Sequence, residues 1–438
     1  MRRCLLLDSR LACSQYPSHQ TLTDERLLSP EDGEWLGKLR VWRNRVAHGI
    51  EAVDPQAATA TVISLRRCCA SSAMGPTGPA TGLRIEANRR TNSDMPNVTS
   101  LGWRFVLTAL PFCALSVTAL AQTDPERRTA FLKAIDRPKV AANVEIQALP
   151  KEGDLMVDRF SFTPEAGIRL SGFVHRKSEG PSQRPVVIVL HGTGGNAEGM
   201  LNSYSKPLAN GGLMTVSMTA RHHGTGGANY NQAITQAYVD GKSHPFLYDS
   251  VWDLERLIDY LETRPDVDRT RIGVIGLSKG GMESWLAAAV DSRLTATVPL
   301  IAVQSFRYEI EHDAWQARAD SILAGFDGAA KSEGAPLDAA FMRKFLDRIS
   351  PGLTSDFDGP AMVPLIAPRP LLVINGEVDP RNPLPSVMAI ADLTKAAYRA
   401  AGKPDNFELV IEPGTAHAVT AEARQKAIDW LVARLGSH

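Results

Sequence analysis

Arg271-Ile272-Gly273-Val274-Ile275-Gly276-Leu277-Ser278-Lys279-Gly280-Gly281-Met282 is the stretch whose reading decides the fold of this chain. Its first five residues are β-favouring and mostly apolar, and helix formers run on from Glu283 to Val290. Between them, Gly276-Leu277-Ser278-Lys279-Gly280 fits G-x-S-x-G, so the order is strand, sharp turn, helix. That context makes the motif a candidate nucleophile elbow. Such a turn strains the serine backbone, so the residues two before and two after must be small, and both are glycine. The elbow would hold the Ser278 hydroxyl above a sheet edge with the next N–H, that of Lys279, close by.

Partners for an activated serine lie further on. Leu371–Ile374 reads as a strand running into Asn375-Gly376-Glu377-Val378-Asp379-Pro380. Phe407–Ile411 reads as a strand running into Glu412-Pro413-Gly414-Thr415-Ala416-His417. A serine hydroxyl is a poor nucleophile until an imidazole takes its proton, and a carboxylate behind the imidazole fixes its tautomer and stabilises the imidazolium. Ser278, Asp379 and His417 supply those three groups, each after a strand, in the chain order Ser-Asp-His. Glu377 is the alternative acid. His191-Gly192-Thr193-Gly194, after a further apolar strand, offers flexible backbone whose Thr193 N–H would join the Lys279 N–H in an oxyanion hole. No Lys-Ser or Lys-Thr follows these glycines, which argues against a phosphate loop. His191, His222 and His223 read as structural, since no metal-ligand spacing relates them.

The remaining pattern surrounds these loops. Asp158–Thr163 and Arg169–Arg176 alternate apolar and polar residues and predict an antiparallel hairpin. Pro185–Leu190, Leu213–Met218 and Ala296–Val303 are apolar runs expected of strands buried on both faces. Helices are expected over Tyr248–Thr263, Pro385–Ala401 and Ala421–Leu435. Strands alternating with helices imply a mostly parallel twisted sheet with helices on both faces, an α/β class. From 304 to 360 the alternation breaks into helical stretches rich in aromatics and charge, expected to form a lid. Phe306, Tyr308 and Trp315 would line an aromatic pocket there or fill the lid's own core.

Composition narrows the alternatives. Lys plus Arg and Asp plus Glu balance at 48 each, so nothing suggests nucleic acid as a partner. All five cysteines (Cys4, Cys13, Cys68, Cys69, Cys113) lie early, so disulfides and thiolate chemistry are excluded beyond Cys113. Met95 to Arg104 carries a positive charge, Phe105 to Ala121 is almost wholly apolar, and Ala119-Leu120-Ala121 ends it as a cleavage site would. Residues 95–121 are therefore expected to be a signal peptide, with 1–94 an upstream extension from a wrong start. A membrane anchor is the other reading, and the run is short for a span. The expected divisions are then an N-terminal segment at 122–157 and one domain over 158–438, periplasmic or secreted. Within 1–94, Arg43-Asn44 and His48 resemble the R-N-x-x-x-H signature of HEPN-type ribonucleases, but the segment is too short for that helical bundle and receives no function.

Taken together, HGTGGN (191–196), SVWDLERLIDYLETRPDVDRTRIGVIGLSKGGM (250–282), NGEVDP (375–380) and EPGTAHAV (412–419) resemble the α/β-hydrolases, in the group of dienelactone hydrolases, acetyl xylan esterases and prolyl oligopeptidase catalytic domains. The resemblance spans about residues 158 to 436. It implies an α/β-hydrolase fold and a serine esterase acting through an acyl-enzyme, with no metal or organic cofactor and a small-molecule or carbohydrate-linked ester as substrate. Dienelactone hydrolases carry cysteine where this chain has Ser278. Prolyl oligopeptidases carry a β-propeller for which there is no room after the signal peptide. A peptidase of that type, and a catalytically silent binding protein on the same fold, are the alternatives. Lys279 after the nucleophile is uncommon in the group and is expected to be solvated or salt-bridged, or to meet an anionic substrate group.

Overall fold

The structure is a computed structural model that describes residues 124–224 and 228–436. The expected extension, signal peptide and HEPN-like stretch lie outside the described residues. Among the described residues nine strands form one sheet in the order β1-β2-β3-β5-β4-β6-β7-β8-β9. These are β1 (Glu145–Glu152), β2 (Leu155–Glu165), β3 (Ile168–Lys177), β4 (Arg184–Leu190), β5 (Met214–Met218), β6 (Val267–Leu277), β7 (Leu294–Leu300), β8 (Leu371–Gly376) and β9 (Phe407–Glu412). The first three and β5 pair antiparallel, and every pair from β5 through β4 to β9 is parallel. The sheet is thus mixed at one end and parallel through its centre, as the alternation of strands and helices predicts.

The longer helices are α1 (Asp124–Ile135), α2 (Ala228–Asp240), α3 (Tyr248–Leu261), α4 (Lys279–Val290), α5 (Leu323–Glu333), α6 (Ala339–Ile349), α7 (Leu384–Ala400) and α8 (Ala421–Leu435). β4 shows why both faces need cover. Val186, Ile188 and Leu190 enter one core with α3, α4 and α7, while Val187 and Val189 enter a second core with α8 and Tyr204. Successive side chains of a strand point to opposite faces, so a continuous apolar run demands two apolar surroundings.

Three elements differ from the reading of the sequence. The sheet starts before residue 158, at β1, which is exposed along nearly its whole length and therefore carries no alternating pattern. α1 is mostly polar, yet Phe131 and Ile135 are buried, and Phe131 packs edge-on against Tyr248 with ring centroids 4.9 Å apart. Arg128 fastens α1 further by donating to the carbonyls of Ala289 (3.0 Å) and Leu365 (2.6 Å). β7 stops at Leu300 although the apolar run continues to Val303, because Ile301 turns to φ 46° and leaves the strand.

Between β7 and β8 the chain departs from the sheet, as expected. Its aromatic residues pack with α2 and join the core on that side of the sheet: Phe326, Phe341 and Phe345 pack together, and Tyr238 stacks on Phe345 at 5.7 Å. Phe306 and Trp315 are buried in that same core, whereas Tyr308 stacks on His312 at 3.7 Å.

Candidate active site

The parallel order reverses at β4, which has β5 on one side and β6 on the other. In open α/β sheets the crevice beyond the carboxyl ends at such a switch point is the usual ligand site. Both the His191–Asn196 loop and the Ser278 turn open there. Ser278 adopts φ 52°, ψ −111°, a conformation that side chains rarely hold unless the surroundings impose it. Its N–H donates to the Leu300 carbonyl at 2.9 Å and its carbonyl accepts from Met282 N–H at 2.9 Å, pinning the turn between β7 and α4. A Cβ on Gly276 would lie 2.1 Å from the Gly280 carbonyl oxygen, and one on Gly280 would lie 2.6 Å from the Leu190 oxygen. Neither position has room for a side chain, and the second packs the start of α4 against the end of β4, next to the glycine-rich loop.

The loops after β8 and β9 are stitched together by backbone. Glu377 N–H donates to Glu412 (3.0 Å) and Val378 N–H to Thr415 (3.0 Å). A Cβ on Gly376 would strike the Thr415 and Ala416 oxygens at 2.3 Å, so this approach requires glycine. The result brings the three expected residues into one line. Ser278 Oγ lies 2.9 Å from His417 Nε2, and His417 Nδ1 lies 2.8 Å from Asp379 Oδ2. Asp379 is buried, whereas Glu377 is exposed and accepts from Gly414 N–H at 2.8 Å, away from the imidazole.

Electrostatics set the protonation. Burial pushes His417 down to about 4, against the opposing pull of Asp379, so the imidazole is neutral at pH 7. Nδ1 then carries the proton toward Asp379, and the Nε2 lone pair faces the serine hydroxyl. Burial raises Asp379, but the His417 imidazole and the hydrogen bonds it accepts outweigh this, and its net shift is downward.

Two residues absent from the sequence reading hold the acid. Arg381 N–H donates to Asp379 Oδ1 at 2.8 Å, and Asn382 Nδ2 donates to Asp379 Oδ2 at 2.7 Å. Nothing in Asp379-Pro380-Arg381-Asn382-Pro383 marks them in sequence, because two prolines around a polar pair read as an ordinary turn.

Lys279 is not solvated. Its ammonium is buried, pairs with Glu283 one turn along α4, bonds Ser250 Oγ at 3.1 Å and lies 5.4 Å from the Tyr230 ring centre. The side chain is thus committed beneath the turn, leaving the backbone N–H as its expected contribution. His191 is also structural in geometry. Its Nδ1 lies 2.8 Å from the Gly192 carbonyl and its Nε2 accepts from Ala220 N–H at 3.0 Å. His223 Nδ1 bonds the Arg221 carbonyl at 3.0 Å, and its ring packs 4.2 Å from that of Tyr230. Among the described residues no group of three His, Cys, Asp or Glu side chains is arranged to hold a metal, and no helix is long and apolar enough to cross a membrane.

With this geometry, similarity to known proteins becomes informative. Solved structures that superpose on the chain include an acetyl xylan esterase from Paenibacillus sp. R4 (TM-score 0.51, 19% identity, covering 71% of this chain and 93% of that one). A glucuronoyl esterase from Solibacter usitatus is similar (TM-score 0.52, 17% identity, 72% and 93%). These likenesses establish an α/β-hydrolase fold. In sequence, the 4-O-methyl-glucuronoyl methylesterase of Hypocrea jecorina (strain QM6a) is 28% identical over 158 residues, 36% of this chain and 33% of that protein. That of Thermothelomyces thermophilus is 24% identical over 170 residues, 38% and 41%. The chain spans about half the length, or less, of the curated relatives it matches. A family model described as "Glucuronyl esterase, fungi" matches residues 168–402, from β3 through the elbow and Asp379 to the end of α7. That match takes in more than half of the sequence, and the chain therefore belongs to the glucuronyl esterase family.

Proposed function

We propose that this chain is a serine hydrolase of carboxylic esters, acting on carbohydrate-linked esters and secreted or periplasmic. The observation that carries the reading is the hydrogen-bonded line from Ser278 Oγ through His417 to Asp379, at 2.9 and 2.8 Å. His417 Nε2 takes the serine proton as Oγ attacks the ester carbonyl carbon. The resulting oxyanion is met by the N–H groups of Thr193 and Lys279. The imidazolium, stabilised by Asp379, then gives its proton to the departing alcohol. Water, deprotonated by the same imidazole, attacks the acyl carbon; the bond to Oγ breaks, the imidazolium returns its proton to Ser278 Oγ, and the acid is released. A neutral imidazole is needed at the outset, and the depressed pKa of His417 supplies it at ordinary pH.

Family membership points the substrate search to esters of uronic acids, since the relatives carry the name 4-O-methyl-glucuronoyl methylesterase. The segment between β7 and β8 would act as the lid that sets acyl and alcohol preference. Residues 95–121 would direct export, and sequencing the mature N-terminus is expected to begin at Gln122. An intact N-terminus at Met1 on the cellular protein would defeat that part.

The central test is hydrolysis of p-nitrophenyl acetate and of the methyl ester of glucuronic acid by the protein and by Ser278→Ala. Removing the serine is expected to cost about a million-fold in kcat. Equal rates in the two proteins would overturn the serine mechanism. Turnover of the acetate ester with none of the uronate would keep the mechanism and reject the substrate class.

A further inference from the structure

The segment between β7 and β8 reaches the acid of the triad. Arg318, in the short helix Gln316–Ala319 of that segment, is buried with its guanidinium against the loop after β8. Its Nη2 donates to the Arg381 carbonyl at 2.7 Å and to Asn382 Oδ1 at 3.1 Å. Arg381 Nε donates back to the Ala317 carbonyl at 3.1 Å. Both residues that grip Asp379 are therefore tied to consecutive residues of the inserted segment.

The chemistry of the amide gives these bonds a direction. An Asn side chain has two ends, one donating and one accepting. A guanidinium only donates, so it must face Oδ1. That leaves Nδ2 toward Asp379 Oδ2 (2.7 Å) and the Ile301 carbonyl (2.8 Å), both of which only accept. Reversing the amide would set its oxygen against a carboxylate oxygen and a carbonyl. Ile301 stands at φ 46°, a rare conformation for a β-branched residue, in the backbone that aims this carbonyl. Glu309 Oε2 lies 3.7 Å from Arg318 Nε, and burial raises the Glu309 carboxyl to about 8 despite that guanidinium.

We propose that Arg318 is a positioning residue for the reaction: it fixes the orientation of the Asn382 amide, which in turn holds the Asp379 carboxylate against His417. The inserted segment would then support the triad as well as cover it. This inference rests on the esterase reading, so its test includes one readout that needs no substrate.

Arg318→Met is expected to lower kcat for p-nitrophenyl acetate about 10–100-fold, as loss of an outer hydrogen-bonding partner typically does, with KM within about twofold. Because Arg318 acts through Asn382, the double variant Arg318→Met/Asn382→Ala should be no slower than Asn382→Ala alone. Losses that simply multiply, or a parent-like kcat in Arg318→Met, would overturn the proposal. The proton on His417 Nδ1, followed by NMR with 15N-histidine, should shift upfield or broaden in Arg318→Met. Its persistence unchanged would overturn the proposal even if no ester is turned over. Loss of turnover by the parent with that proton still sensitive to Arg318 would instead reject the esterase reading alone. If circular dichroism shows Arg318→Met unfolded, Arg318→Lys keeps the positive charge but lacks the planar guanidinium that lies over the Phe306 ring, 5.8 Å from its centroid, and sets Nη2 between both acceptors. It is expected to fold, with the same fall in kcat and shift in resonance, and parent values there would overturn the proposal.

Discussion

His191 and His417 each follow a parallel strand, β4 and β9, and each is buried at the same end of the sheet. Burial pushes both down to about 4. In protonation they are alike, yet only His417 faces a serine hydroxyl. His191 spends its Nε2 lone pair on Ala220 N–H, and its ring ties the loop after β4 to the loop after β5. His417 turns the same lone pair to the Ser278 hydroxyl, which carries a removable proton. A depressed pKa therefore does not identify a base. What separates these two histidines is the group that the Nε2 lone pair faces.

The sharpest way to break this contrast is to remove both imidazoles in turn. His417→Ala is expected to cost about a million-fold in kcat, whereas His191→Gln should keep kcat within about tenfold and lose about 1–3 kcal/mol of stability from unpaired backbone groups. Comparable kinetic losses would mean that His191 takes part in the reaction. The orienting acid comes next. Asp379→Asn should lower kcat about ten-thousand-fold by presenting the wrong hydrogen-bonding end to Nδ1. Glu377→Gln should stay at the parent rate, and the reverse result would exchange their roles.

Lys279 sharpens the contrast between backbone and side chain at one residue. Lys279→Met leaves its N–H in place but strands Glu283 in the interior. It is expected to cost about 3–5 kcal/mol in urea unfolding while kcat stays within about tenfold. A large kcat loss at parent stability would instead assign the ammonium to the transition state.

The pH dependence gives the smallest effect and separates two quantities. kcat/KM should be level at neutral pH and fall about tenfold per unit below pH 4, as His417 protonates. Stability behaves differently. The folded pKa of each histidine lies below the unfolded value of 6.5, so the unfolded chain binds protons first as the pH falls. The share of stability that these two histidines contribute is full above about 6.5 and is lost progressively down to about 4. His191→Gln should reduce the stability loss in that window without moving the kinetic pKa.

Ser278, Asp379 and His417 were legible as candidates in the linear chain because each follows a strand that leaves a strong local pattern. The elbow glycines were legible for a similar reason, since a side chain at Gly276 or Gly280 would overlap backbone. Other parts left no such mark. β1 is exposed along almost all its length, so it lacks alternation, and α1 buries only Phe131 and Ile135. The fate of Lys279 was open between solvent and a salt bridge, and a partner four residues along a helix was compatible with either.

The sequence by itself determined the strand-turn-helix, the order of the three site residues and the need for glycine around them. These follow from periodicity and sterics acting over a few neighbouring residues. The tertiary structure alone shows the expected acid, Asp379, against the imidazole and Glu377 turned to Gly414 N–H, since two positions on one loop differ by which way the backbone turns. It also decided that Arg381 and Asn382 grip that acid, and that Ala317 and Arg318, more than sixty residues earlier in the chain, hold them in turn. Hydrogen bonds between segments so distant depend on how layers pack, and no local pattern encodes them.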